Sequence, residues 1–402
     1  MEKHSPISRF QEFNVNWSAS PASDIFVVET DKGHPELPVL SASQELGMIK
    51  RDNIGINMQY SKQNIASYKR VQPGRFVIHL RSFQGGFAHS AIEGITSPAY
   101  TVLSLKESLN HDEYFWKYLF TSPEFIKRLE LVTYGIRDGR NISVEDFFEL
   151  PFCYPSIQEE QHKIAQFFSR LDTLIAAEDK KLSKLKNMKT ASLEKLFPKQ
   201  GETVPQVRFK EFKGGWTKGK LSDVAGYYRI SNENVHHQNL LSLSYGKIIK
   251  KNIKSKRGLL PASFDTYQVI KENIIVLRFT DLQNDHKSLR VGISKEKGII
   301  SPAYVCLECK DNIIPDYLYL LLHFYDLCKV FYGMGDGMRQ TLSYSDIRDL
   351  AIQMPNEPKE QISIVKYFSR LDILISAQEQ KLNKLRSLKK SFLEKMFVNI
   401  QN

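Results

Sequence analysis

Several short constellations in this 402-residue sequence carry residue types that catalysis uses, and each lacks a part that its chemistry requires. Ser97-Pro98-Ala99-Tyr100 and Ser301-Pro302-Ala303-Tyr304 are one proline short of the Asn/Asp-Pro-Pro-Tyr pattern used in methyl transfer to adenine. No glycine-rich cofactor loop follows a first strand, and Gly333-x-Gly335-x-Gly337 lies late, outside a strand-to-helix setting. Glu357-Pro358-Lys359 holds the Glu-x-Lys of metal nucleases without a carboxylate cluster to bind the metal. Cys306-x2-Cys309 is a lone pair on an apparent strand, with no second pair at zinc spacing, and reads as structural. His236-His237 reads as a surface loop. The sequence predicts no catalytic residue, no metal ligand and no cofactor of its own.

A binding chemistry is better supplied. Lys247, Lys250, Lys251, Lys254, Lys256 and Arg257 fall within 11 residues that contain no acid. Lys50, Arg51, Lys62, Lys69, Arg70, Arg75 and Arg81 are spread through the corresponding part of the first half, and Arg278 follows an apolar run in the second. Two glycine-punctuated runs add Arg137, Arg140 and Asn141, then Arg339 and Gln340. Arginine can pair bidentately with guanine, and Asn or Gln with adenine, so these side chains suit base reading as well as phosphate contact. The whole chain has 56 basic and 45 acidic residues, a net charge of +11 that favours a polyanionic partner.

The elements that must position these residues occur twice. Residues 161–197 and 361–397 are identical at 19 of 37 positions at a constant offset of 200, which marks a duplication. Arg9-Phe10-x-Glu12-Phe13-x3-Trp17 returns as Arg208-Phe209-x-Glu211-Phe212-x3-Trp216, and Gly94-Ile95-x-Ser97-Pro98-Ala99-Tyr100 returns as Gly298-Ile299-x-Ser301-Pro302-Ala303-Tyr304. Leu40-Ser41-x-Ser43 returns as Leu241-Ser242-x-Ser244, whereas 44–70 and 245–270 share little.

In the duplicated block, apolar residues recur at three- and four-residue steps: Leu171, Leu174, Ile175, Leu182 and Leu185, then Leu371, Leu374, Ile375, Leu382 and Leu385. Proline flanks the first stretch at Pro155 and Pro198. The spacing predicts two helices, each about 38 residues and about 57 Å long. Neither can bury its stripe alone, so the two are expected to pack as an antiparallel coiled coil, related by a pseudo-twofold axis. The segments between them hold short apolar runs such as 75–80 and 273–277 and short helical patterns such as 114–120 and 317–322. The expected architecture is α+β. Two mixed α/β recognition domains, 1–155 and 199–355, alternate with conserved long helices at 156–198 and 356–402. Two unlike domains held at opposite ends of a helix pair would touch a duplex twice.

No run of about 18 uncharged apolar residues is present, the start Met1-Glu2-Lys3-His4 lacks a secretory core, and four cysteines are too few for a disulfide framework. A cytoplasmic location is expected.

These blocks resemble the specificity subunits of type I restriction-modification systems. The resemblance rests on Val207-Arg208-Phe209-x-x-Phe212-x3-Trp216-x3-Lys220-Leu221-x-Asp223-Val224, on the Ser-Pro-Ala-Tyr steps, and on Gln340-Thr341-Leu342-Ser343-Tyr344-x-Asp346. Met354-Pro355, Glu360-Gln361 and the helix block from Phe368-Ser369-Arg370-Leu371-Asp372 to Leu393-Glu394-Lys395 complete it. It implies a non-catalytic subunit that recognises a bipartite DNA target and positions two modification subunits, with restriction subunits as further partners. Those partners would use S-adenosylmethionine to methylate a flipped adenine, and ATP with magnesium to translocate and cleave DNA. The first copy departs from the pattern after Trp17, where Ser18-Ala19-Ser20-Pro21 predicts a different opening strand or helix. The competing reading is a coiled-coil assembly scaffold with non-specific nucleic-acid binding. Divergent segments between repeated blocks favour specific readout.

Overall fold

The computed structural model describes residues 5–43, 46–54, 62–106, 111–135, 140–199, 201–233, 237–252, 263–280, 289–334 and 341–398. Two helices dominate the chain, Gln158–Leu196 and Pro358–Lys395. Acidic residues in the first turn and a lysine in the last complement the helix dipole in both. Pro358 opens the second helix at a position where its missing N–H costs nothing. The chain forms two compact units, Met1–Lys180 with Glu379–Asn402, and Lys181–Gln378. Each unit therefore takes one recognition segment, part of one long helix and part of the other.

Within each unit the helix segments run antiparallel. In the first, Asp172 pairs with Lys389 and Glu178 with Lys381, so partner numbers fall as residue numbers rise. In the second, Lys189 pairs with Asp372 and Ser192 bonds Tyr367. Asp172–Lys389 and Asp372–Lys189 are the same pair under the 200-residue offset, both at 2.5 Å. The packed seam follows alternating four- and three-residue steps: Ile164, Phe168, Leu171, Ile175 and, two turns on, Leu182, with Ile364, Phe368, Leu371, Ile375 and Leu382 in the second copy. Leu185 and Leu385 are half-buried.

Leu174 and Leu374 correct the sequence reading: they stand beside the seam, 41% and 53% exposed. Next to each is an isoleucine at the adjacent position, and a 3.6-residue stripe accommodates either. The 3.5-residue repeat of a paired helix selects the isoleucine and turns the leucine to the flank.

The recognition folds repeat the same antiparallel plan. The first unit has a four-stranded sheet in the order Phe26–Glu29, Thr101–Leu105, Phe76–Ile78, Ala88–His89. The second unit has Ala225–Tyr227, Val305–Cys309, Ile275–Leu277, Val291–Ile293 in the same order. Phe76-Val77-Ile78 and Ile275-Val276-Leu277 are buried at every position, as central strands covered on both faces require. The helices Glu113–Phe120 and Pro315–Leu327 pack their apolar side chains into these cores.

The Gly-Ile-x-Ser-Pro-Ala-Tyr repeat is a short strand that leads into a turn. Ser97 and Ser301 each accept the backbone N–H two residues on through Oγ at 3.3 Å and the N–H of the tyrosine through the carbonyl. The glycine that opens it is fixed by close approach: a Cβ on Gly94 would lie 2.5 Å from the Pro38 carbonyl oxygen, and one on Gly298 2.6 Å from that of Asn239.

The divergent opening after Trp17 also folds like its counterpart, against the expectation of a different element. Ser18–Pro21 pairs with Pro151–Tyr154 as Thr217–Lys220 pairs with Ala351–Met354, and helical turns at Ala22–Ile25 and Leu221–Val224 follow. Pairing and burial set the element here. Ala22 and Ile25 fill, fully buried, the places of Leu221 and Val224, although the Asp223 carboxylate that accepts the Lys220 N–H has no equivalent cap at Pro21.

Candidate nucleic-acid interface

Each recognition fold is tied to its long helix by one buried carboxylate. Glu160, 1% exposed, accepts Arg9 Nε at 2.6 Å and Nη2 at 2.7 Å, and the Trp17 indole N–H at 3.1 Å. Glu360 does the same for Arg208 at 2.7 and 2.8 Å and for Trp216 at 3.3 Å. Both Arg–Glu pairs are bidentate, the geometry in which such pairs are strongest. Bonding to Glu360 raises the Arg208 guanidinium above its usual range. The neighbouring glutamines repeat as well: Gln161 accepts the Asp112 N–H, and Gln361 the Ile314 N–H, each at 3.0 Å. The opening Arg-Phe-x-Glu-Phe-x3-Trp block is thus an anchor, and the Glu-Gln at the start of each helix is its receptor. Sequence reading noted Glu360-Gln361 without this role; the legible signal was its recurrence at Glu160-Gln161.

The expected DNA contacts divide by what their side chains already touch. Lys69 donates to the Tyr100 carbonyl at 2.6 Å, and burial, then Lys32, lowers its pKa. Arg70 pairs with Glu93 and Asp31, Arg75 with Glu29, and Lys250 with Glu296. Arg51 donates to Ser41 Oγ. These five are engaged within the fold. Lys50, Arg81, Arg140, Asn141, Lys247 and Lys251 are exposed. Arg140 lies 5.7 Å over the Phe83 ring and lines a cleft of about 210 Å³ with Glu130, Thr133 and Gly135. Arg137, Lys254, Lys256, Arg257, Arg339 and Gln340 lie outside the described residues, as does the side chain of Lys62.

Arg278 is half-buried, and a residue that sequence reading missed holds its neighbourhood. Arg290 is fully buried; its Nη1 donates to the carbonyls of Arg278 at 3.2 Å and Thr280 at 2.7 Å, and its Nε to the Tyr332 hydroxyl. Asp326, also buried, accepts the Arg290 N–H at 2.6 Å. A lone arginine in an unremarkable stretch gives no sequence signal for such a role.

Cys306 is buried in its strand and Cys309 partly so, and burial pushes both thiols up to about 12. Among the described residues no group of three or more His, Cys, Asp or Glu could hold a metal ion. No described helix is long and apolar enough to cross a membrane.

A family model described as the type I restriction modification DNA specificity domain matches residues 14–187 and again 213–387. Among solved structures the chain is similar to the S subunit of a type I restriction-modification system from M. genitalium, at 14% identity and a TM-score of 0.56, over 99% of this chain and 100% of that one. It is also similar to a chain from a structure of complex assembly and conformational transition of the type I R-M system. That match has 14% identity, a TM-score of 0.57 and covers 96% of this chain and 98% of that one. At these identities the likeness is one of fold. No curated protein matches the sequence.

Proposed function

The chain belongs to the type I restriction-modification DNA specificity family, and we propose that each of its two recognition folds reads one half of a split target while the long helices carry the partner subunits. It is a specificity subunit; the scaffold that binds nucleic acid without reading it is not favoured. The observation that carries the division of labour is the duplicated anchor. The same Arg–Glu–Trp constellation seats two folds that expose different polar residues, Lys50, Arg81, Arg140 and Asn141 in the first and Lys247 and Lys251 in the second. Unlike folds on like mounts suit unlike half-sites.

In this reading the exposed Lys50, Arg81, Arg140, Asn141, Lys247 and Lys251 contact DNA, while the engaged Lys69, Arg70 and Arg75 shape the surface that does. Two modification subunits dock on the helices, for which exposed Leu174 and Leu388 in one unit and Leu374 and Met188 in the other are apolar footholds. S-adenosylmethionine, ATP and magnesium serve those modification and restriction partners, adenine methylation and ATP-dependent cleavage belong to the assembled complex, and the complex works in the cytoplasm. Methylome sequencing of a host with and without this chain tests the reading: one split motif should lose methyladenine. Exchanging residues 1–155 for another recognition domain should change one half of that motif, and a change in both halves would refute the division.

A further inference from the structure

The second recognition fold carries a hairpin whose tip spends backbone strain on an exposed aromatic side chain. In the second unit Leu241–Ser244 pairs with Lys247–Lys250, leaving Tyr245-Gly246 as a two-residue loop. Tyr245 has φ +46° and Gly246 φ +74°. Positive φ at both positions is the type I′ turn, for which Asn-Gly is the favoured pair. A residue with a Cβ and a bulky ring is disfavoured there, because the left-handed region crowds Cβ against the carbonyl. Packing gives no return for that choice, since Tyr245 is 77% exposed.

The first unit has a hairpin at the corresponding place, with three residues, 44–46, between its strands. Leu40–Ser43 pairs with Gly47–Lys50, and Leu46, before Gly47 at φ +73°, is 71% exposed. In the first unit the glycine is pressed onto the edge strand of the main sheet, and in the second it lies beside Leu289, two residues before that strand. A Cβ on Gly47 would lie 2.2 Å from the His89 carbonyl oxygen, and one on Gly246 3.2 Å from Leu289 Cβ. The hairpins are therefore held against the sheet, and the residue before each glycine is presented at a set place. Lys247 opens the returning strand beside the tip, whereas Lys250 and Lys251, and Lys50 in the first unit, lie at the far end of their hairpins. Lys250 is bridged to Glu296 at 2.9 Å.

We propose that Tyr245 is a base contact, set against the stacked bases of its half-site by the hairpin tip, with the adjoining Lys247 on a phosphate. Apolar side chains beside cationic ones fit a nucleic-acid duplex, where aromatic and leucine side chains pack on or between bases. The proposal rests on the reading of the chain as a DNA specificity subunit and adds a residue that meets the bases.

The test uses the full chain assembled with its modification subunits, and a duplex carrying the split motif that methylation sequencing finds for the wild type. Wild-type preference for this duplex over a scrambled one checks the underlying reading independently. Tyr245→Asn replaces the tyrosine with the residue the turn favours. The variant is expected to melt at the same or a higher temperature, yet bind the motif duplex about tenfold or more weakly, as loss of a stacked base contact predicts. Tyr245→Phe should restore binding. Wild-type affinity in Tyr245→Asn would overturn the proposal, and so would a lowered melting temperature, which would make the tyrosine a structural residue.

Discussion

Replacing Glu360 by alanine removes the acceptor of a bidentate guanidinium and of an indole N–H in one step. The structure sets the size of the effect. Two opposite charges about 4 Å apart interact by about 4 kcal/mol at an effective dielectric near 20. A hydrogen bond to a charged group adds about 1.5–3 kcal/mol. The desolvation of a carboxylate that is 1% exposed offsets part of this in the intact protein. Once the carboxylate is gone, the Arg208 side chain, 14% exposed, and Trp216 Nε1 keep their burial without their partner. The expected loss is about 3–5 kcal/mol, the range for breaking a buried pair from one side. Hydrogen–deuterium exchange read peptide by peptide is the assay. Protection should fall across residues 181–378 and hold in the other unit, and Glu160→Ala should give the reverse. Adding Arg208→Ala should cost less than the sum of the single changes. A loss below about 1 kcal/mol, or protection lost evenly along the chain, would refute the anchor.

Three further outcomes follow from the same geometry. Leu371→Ala should cost about 2–5 kcal/mol in urea unfolding, as a buried seam position, whereas Leu374→Ala should cost less than about 1; equal losses would return Leu374 to the seam. His323 is held at a pKa of about 4, by burial first and Lys189 second, against 6.5 when free. The unfolded chain binds the proton first, so roughly 3 kcal/mol of stability present above pH 6.5 is lost as pH falls towards 4. His323→Gln should flatten that part of the pH–stability curve, and an unchanged curve would deny the histidine its role. Gly47→Ala places a Cβ 2.2 Å from a carbonyl oxygen at φ +73°; circular dichroism melts should show a lower transition than for Gly33→Ala, whose Cβ meets nothing within 4 Å at φ +89°.

Much of this architecture was legible because duplication is a pattern of identities and needs no propensity. The offset of 200 located both long helices, and uninterrupted apolar runs at 76–78 and 275–277 located central strands. Two kinds of information were hidden. The choice between Leu174 and Ile175 depends on a difference of a tenth of a residue per turn, which becomes visible only when a partner helix is present. The side chains that recognition uses were hidden for another reason. Composition counts Lys69, Arg70 and Arg75 as available cations, but their carbonyl and carboxylate partners lie 23 to 46 residues away in sequence. Arg290 is the converse, a cation that the fold spends internally, and nothing local distinguishes it from a surface arginine. Tyr245 was silent until its φ was known.

The helix ends show why the linear order of domain and helix does not describe what folds. Leu393, Met396 and Phe397 belong to the core of the first unit with Trp17, Phe115 and Phe168, while Leu193, Leu196 and Phe197 belong to that of the second with Trp216, Tyr317 and Phe368. Phe168 stacks on Phe397 at 5.8 Å, and Phe197 on Phe368 at 6.4 Å, the same contact under the offset. A chain ended after Pro198 keeps the first recognition segment but loses three core residues, each contributing about 1.5–3 kcal/mol by burial. That approaches the whole stability of a typical domain, about 5–15 kcal/mol. The fragment does retain Leu193, Leu196 and Phe197, which match the lost residues in type and position. Two copies can therefore complete each other by exchanging helix ends. The 1–198 fragment is expected to sediment as a dimer whose melting temperature rises with concentration. A monomer with cooperative, concentration-independent unfolding would show that the borrowed helix end is dispensable, and the compact units would then have to be redrawn along the sequence.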